Sequence, residues 1–243
     1  MTETVTKNCS LCNDTGWKIV VEDGREFAQR CQCQGENSIK KRSYKANLPQ
    51  RFLLYELDSF CPHKNFPSQK KIIKRVRKFI DDYPAVVDYK GLLFQGRAGV
   101  GKTRLLCAIA TELFKKPDFF DIYYIDWNNL LREMRSGDHH LTKNFSELNK
   151  FIEKLAAVDL LLFDELGSSK LSDLSQWMMD TIYYIFNKRY NNQKVTLCAT
   201  NFFDNPKDGK ESLTDRIGER IRSRLFEMTE LLVIEGSDRR IEM

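Results

Sequence analysis

Long apolar runs are missing from this chain. Stretches such as Leu160-Leu161-Leu162-Phe163 are far shorter than the roughly 20 residues a spanning helix needs, which excludes an integral helical membrane protein. The first residues, Met1 to Lys7, carry no apolar segment of the kind an export signal uses, so secretion is not expected. No internal repeat or low-complexity tract is found. Histidine is scarce, and His63, His139 and His140 read as surface residues rather than metal ligands. What remains is a cytoplasmic chain of 243 residues, 42% hydrophobic and 30% charged. That is enough apolar material for one medium domain, or for a core domain with a small appendage.

The charge is unevenly spread. Residues 1–90 hold 17 Lys/Arg against 11 Asp/Glu, whereas residues 91–243 hold 22 against 23. Lys40-Lys41-Arg42 with Lys45, and the run from Lys70 to Lys78, supply most of the excess. A basic segment on a near-neutral body suits an anionic partner, most simply nucleic acid. A solvated helix face gives the same pattern.

Seven cysteines in a chain of this kind do not point to disulfides. Four cluster as Cys9-x2-Cys12 and Cys31-x-Cys33, a pattern that suits a closed tetrahedral site for structural Zn²⁺. Trp17 to Val21 and Glu26 to Ala28 read as a hairpin between the two pairs, with Asp23-Gly24 as its turn. Few large apolar side chains lie in this segment, so a metal staple is what would let it fold alone. Unliganded thiols are the other reading, and Cys61, Cys107 and Cys198 stand apart.

Residues 1–45 are therefore expected to form a zinc-binding module, and 46–90 a basic linker with the lead-in helix of the core. In that helix, starting at Ser68, Ile72, Ile73, Val76, Phe79 and Ile80 recur at helical spacing. Residues 91–243 alternate strand and helix. Strands are expected at 91–95, 122–125, 160–163, 195–200 and 231–234. Helices are expected at 102–114, through Leu130 and Leu131, at 145–155, at 177–190 and at 213–222. Continuous apolar strands separated by helices predict an α/β fold, a parallel sheet covered on both faces.

Gly96-Arg97-Ala98-Gly99-Val100-Gly101-Lys102-Thr103 fits the phosphate-loop pattern and lies between a strand and a helix, the context that pattern requires. Backbone N–H groups and the helix N-terminus would cradle phosphates, Lys102 would reach the β- and γ-phosphates, and Thr103 would bind Mg²⁺. The strand Leu160 to Phe163 ends in Asp164-Glu165, placing Asp164 to hold Mg²⁺ through water and Glu165 to polarise an attacking water. That favours hydrolysis over transfer to a small acceptor. Thr200-Asn201 closes the next strand, where Asn201 is either a γ-phosphate contact or a turn residue. Arg220 and Arg224 share one helical face; they read as catalytic arginines presented to a neighbouring subunit or as a basic helix end.

With these pieces in order, the chain resembles the AAA+ ATPases of the DnaC/DnaI helicase-loader and IstB group from about residue 46 onward. The resemblance rests on Leu48-Pro49-Gln50-Arg51-Phe52 as the lead-in segment, Gly96 to Thr103 as Walker A and Leu160 to Glu165 as Walker B. Ala199-Thr200-Asn201 matches sensor 1, Arg220 to Leu225 box VII, and Glu235 to Arg240 the family's ending. It implies an AAA+ P-loop core with a truncated or absent lid, Asn201 as sensor 1 and Arg224 as arginine finger with Arg220 beside it. It also implies a C-terminal arginine at Arg240, with Arg239 competing. The stretch between Ile125 and Phe151 corresponds to an extra helical element facing single-stranded DNA, with Lys143 and Lys150 as phosphate contacts. A cysteine-pair N-terminus before such a core looks like a subset of loaders.

The resemblance implies an ATPase that loads a replicative hexameric helicase onto single-stranded DNA and self-assembles through bridging nucleotides, with ATP, Mg²⁺ and Zn²⁺ as cofactors. An IstB-like transposition helper acting on duplex DNA is the second reading. A non-catalytic nucleic-acid-binding adaptor that uses nucleotide structurally is the third.

Overall fold

The computed structural model describes residues 11–12, 17–22, 24–63, 65–116, 118, 120–137, 143–206 and 209–241. The chain opens with an antiparallel hairpin, β1 (Trp17–Glu22) and β2 (Arg25–Arg30), in which Trp17 lies opposite Arg30 and Glu22 opposite Arg25. The next element is one that the sequence reading did not place. A 14-residue helix, α1 (Gln32–Lys45), starts within the second cysteine pair, with Cys31 as its N-cap and Cys33 in its first turn. Among its described side chains, Ile39 packs against the core and Ser43 is buried. Arg42 donates to the Phe114 and Asp118 carbonyls at 2.8 and 3.1 Å, and Ser43 to the Leu53 carbonyl at 3.0 Å.

Two short 3-10 turns (Gln50–Phe52 and Leu57–Ser59) lead to α2 (Ser68–Asp82). Ile72, Ile73, Val76, Phe79 and Ile80 of α2 are buried on the sheet, as the spacing predicts. At about 1.5–3 kcal/mol per large apolar side chain, that stripe is what fixes the helix in place.

The five parallel strands are β3 (Gly91–Gln95), β4 (Ile122–Asp126), β5 (Leu160–Asp164), β6 (Val195–Thr200) and β7 (Thr229–Val233), in the order β4-β5-β6-β3-β7. Successive residues of each inner strand enter opposite cores, which is why these strands read as unbroken apolar runs. Leu92, Phe94, Leu160, Leu162 and Leu197 face α2 and α3 (Lys102–Lys115). Leu93, Leu161, Phe163 and Cys198 face the layer of α4 (Trp127–Gly137), α5 (Lys143–Ala157) and α6 (Gln176–Asn191). The last expected helix is in fact two, α7 (Leu213–Ile217) and α8 (Glu219–Met228), broken at Gly218, whose φ of 77° no helix accommodates. β7 also begins at Thr229, two residues before the expected start.

At the N-terminal end of the sheet, fully buried Arg189 ties α5 to β6. It donates to the Leu155, Val158 and Val195 carbonyls and to the Thr196 hydroxyl. No helix among the described residues is long and apolar enough to cross a membrane. The sheet order reverses at β3: its helix leads to the far edge, and the chain returns through β5 and β6. A parallel sheet collects ligands outside the C-terminal ends of its strands at such a point.

Candidate nucleotide site

A cavity of about 640 Å³ lies there. Its walls include Ala98, Gly99, Gly101, Lys102, Thr103, Asp164, Glu165, Asn201, Arg239 and Arg240. The loop from β3 to α3 gets its shape from residues behind it. Gly101 sits at φ 106°, and a Cβ there would lie 2.6 Å from the Phe60 ring, so a side chain would be strained and would displace the phenylalanine. Val100 is fully buried and anchors the loop, while Gly96 and Arg97 direct their carbonyls at the lysine.

Lys102 is buried and donates to those two carbonyls at 2.8 and 2.7 Å. Burial lowers its pKa from the usual lysine range to about 8. The Arg240 charge adds to that, and Asp164 and Glu165 oppose it. An anion entering the loop would oppose that shift by favouring the ammonium form. The Thr103 hydroxyl donates to Asp164 Oδ2 at 2.6 Å, bringing two oxygen ligands of the kind Mg²⁺ takes to one edge of the cavity.

Asp164 ends β5, nearly fully buried. Desolvation pushes its pKa up. The Thr103 and Tyr124 hydroxyls, the Glu165 backbone N–H and the Lys102 charge pull the other way. Tyr124, on β4, donates to Asp164 Oδ2 at 2.9 Å; no local pattern in the sequence singled it out. A Tyr124→Phe variant keeps the ring in its core position but removes that donor. We expect the Mg²⁺ concentration for half-maximal nucleotide hydrolysis to rise about tenfold, the usual scale for losing an outer partner of a metal ligand. Nucleotide binding in chelator should stay unchanged. An identical Mg²⁺ titration would show that Tyr124 only fills space.

Glu165 adopts φ 53°, which turns its carboxylate out of strand geometry and into the cavity wall. Burial first, then the charges of Asp164 and Asp126, raise its pKa above the ordinary glutamate value. Asn128, after β4, holds Glu165 Oε2 at 3.5 Å. Asn201 follows β6 and is exposed on the same cavity, while its neighbour Thr200 is buried and bonded to the Leu166 carbonyl at 2.8 Å.

The two C-terminal arginines divide. Arg239 is tied down: it donates to the Cys61 carbonyl and to Gln69 Oε1 at 2.9 and 2.7 Å and lies 4.2 Å over the Phe60 ring. Arg240 is exposed on the cavity and acts electrostatically on Lys102 and Glu165. The lead-in segment supplies a wall that sequence reasoning gave no site role. Arg51, Phe52 and Tyr55 line the cavity beside Arg104, whose guanidinium stacks 4.1 Å over the Tyr55 ring.

Arg220 and Arg224 do not reach their own chain's cavity. On α8 they face α6, Arg220 over Tyr183 at 3.9 Å and paired with Asp180, Arg224 over Tyr190 at 4.5 Å and paired with Glu227. Lys150 is exposed on α5; the Lys143 side chain lies outside what is described.

Of the four clustered cysteines, Cys12 and Cys31 are buried at 6% and 2% exposure. Cys9 and the Cys33 side chain lie outside the described residues. Among the described residues no group of three or more His, Cys, Asp or Glu is placed to hold a metal, so the expected zinc site gains no support there.

Comparison with known proteins places this geometry. The sequence family described as IstB-like ATP binding protein matches residues 27–242. The replicative helicase loader DnaI of Bacillus subtilis (strain 168) is 26% identical over 258 residues, spanning 97% of this chain and 79% of that protein. A crystal structure of the DnaC helicase loader aligns with TM-score 0.63 and 30% identity over 77% of this chain and 100% of that one. A crystal structure of DnaI aligns with TM-score 0.63 over 77% of this chain and 94% of that one; at 24% identity it shows the shared fold alone.

Proposed function

The chain belongs to the IstB-like ATP-binding family, and from that premise we propose that it is an ATPase that loads a replicative hexameric DNA helicase onto single-stranded DNA. The observation that carries this reading is the similarity to a helicase loader along 97% of the chain, well beyond the nucleotide-binding core. It favours the loader over a transposition helper.

In this reading Lys102 and the loop N–H groups bind the phosphates of ATP. Thr103 and Asp164 hold Mg²⁺, which neutralises phosphate charge when bound. Glu165 accepts the proton of the attacking water, and Asn201 orients that water against the γ-phosphate. Arg240 faces the same phosphates. Arg224, with Arg220 beside it, serves the site of a neighbouring copy, so that ATP bridges subunits and hydrolysis loosens them. The α4–α5 hairpin faces single-stranded DNA with Lys150 and Lys143.

We assign residues 1–45 to a helicase-gripping module, 46–90 to the lead-in and 91–243 to the ATPase core, in a cytoplasmic protein. The donor set of the module fits zinc in kind. Cys12 and Cys31 are buried, and Cys31 directly follows β2 as the N-cap of α1.

Size-exclusion light scattering of the chain with the host's replicative helicase tests the reading. A stable complex that responds to ATP and Mg²⁺ is the expected result. Absence of a complex, in a preparation that still binds ATP, would overturn it in favour of a helper acting on duplex DNA.

A further inference from the structure

A second cavity, of about 530 Å³, adjoins the nucleotide site. Its walls include Lys40 and Tyr44 of α1 and Gln50, Arg51, Leu54 and Tyr55 of the lead-in segment. Residues 37–55 hold no aspartate or glutamate, yet carry Lys40, Lys41, Arg42, Lys45 and Arg51. Arg42 is spent on the end of α3. Lys40 and Arg51 are exposed at the cavity, and neither takes part in an ion pair among the described residues. Tyr44 is 53% exposed beside them. Cations and an open aromatic ring around one cavity suit a ligand that is both anionic and aromatic.

Unpaired nucleic acid uses both. Its phosphates meet the cations, and its bases stack on aromatic faces regardless of sequence. A duplex has its base faces already covered, so the open Tyr44 ring offers it nothing. We propose that this cavity is a binding site for single-stranded nucleic acid, with Lys40 and Arg51 on phosphates and Tyr44 stacked on a base. The proposal rests on the reading that the chain handles single-stranded DNA, and adds a contact surface separate from the α4–α5 hairpin.

The two cavities share a partition. Arg51 and Tyr55 line both. The Arg51 guanidinium lies 4.5 Å over the Phe52 ring, Phe52 meets Tyr55 edge-to-face at 6.3 Å, and Arg104 covers Tyr55 at 4.1 Å. A nucleotide seated against Phe52 and Tyr55 therefore bears on the residue that meets the strand. Each ligand then alters the other's affinity by the same factor.

Fluorescence anisotropy of labelled oligo(dT) with the full chain tests this, without nucleotide and with ADP. Lys40→Glu and Tyr44→Ala should each weaken strand binding by about tenfold. Lys40→Glu should also flatten the salt dependence by about 0.7 in log K against log salt, one phosphate contact on a single strand. Neither residue lines the nucleotide cavity, so ADP affinity should not move. Wild-type strand affinity should differ by about fivefold between the two nucleotide conditions, a difference that Arg51→Ala removes. Strand affinity untouched by both cavity variants but lowered by Lys150→Glu in α5 would overturn the proposal and leave the single-stranded DNA reading standing. A wild-type chain that binds no strand would overturn both. Lys40→Glu that spares the strand but loses the helicase complex would make the cavity a docking surface for an acidic protein, and the proposal fails.

Discussion

A Glu165→Gln chain is expected to hydrolyse ATP about 10³-fold more slowly than the natural one while binding it almost as well. The magnitude is that of losing a positioned general base, which is worth roughly 10²–10⁴ in rate. Glutamine has the same shape and can still meet Asn128, but it cannot take a proton from water. Glu165 is suited to that task because burial, Asp164 and Asp126 hold its pKa above the ordinary carboxylate value, bringing its basicity closer to the working pH. The acid limb of the turnover profile should accordingly lie above the range of an exposed glutamate, since the group must lose its proton before it can act. Phosphate release under single-turnover conditions is the measurement, with nucleotide affinity determined alongside it. A rate unchanged by the substitution would remove Glu165 from the reaction. A loss of binding equal to the loss of rate would mean that the side chain supports the loop and not the water.

How much of this site was legible before the fold was known depends on the range of each interaction. The phosphate loop, the carboxylate pair and the strands that carry them are local patterns. Gly96 to Thr103 and Leu160 to Glu165 need only their immediate neighbours to be read, and the structure brings both to the C-terminal edge of one sheet. Tyr124 and Asn128 were not legible, because their meaning comes from β4 lying beside β5, which no spacing along the chain encodes. Helix α1 was missed for a different reason. Among its described side chains, Arg42 and Ser43 dock through hydrogen bonds beside a partly buried Ile39, so the period that marks a packed helix is weak. The break at Gly218 was readable in principle, since a glycine inside a helical pattern is a warning, but Ile217 and Ile221 keep the helical spacing across it. The choice between Arg239 and Arg240 also had to wait for the fold, because only the Phe60, Cys61 and Gln69 contacts reveal that one of the two is already committed.

Arg224→Ala should produce the other large effect, and only in the assembled state. An arginine supplied to a neighbour's phosphates is worth roughly 10³–10⁵ in turnover, so a loss of about 10³-fold is expected, or about 4 kcal/mol of barrier. The residue contributes little to the fold. Its ion pair with Glu227 lies at the surface, where such pairs add little to stability. Stacking on Tyr190 holds the guanidinium off its own chain's cavity, as a role in a second copy's site requires. Nucleotide affinity of the isolated variant should therefore match that of the natural chain. Mixing supplies the discriminating test. A Glu165→Gln chain cannot hydrolyse but still carries Arg224, whereas an Arg224→Ala chain keeps an intact Glu165. Combined, the two inactive chains should regain a measurable fraction of turnover, because the first completes the site of the second. Failure of the mixture to recover, with both chains shown to co-assemble, would rule out an arginine acting across the interface at this position. Loss of turnover in Arg220→Ala but not in Arg224→Ala would move the role one helical turn back, to the guanidinium over Tyr183.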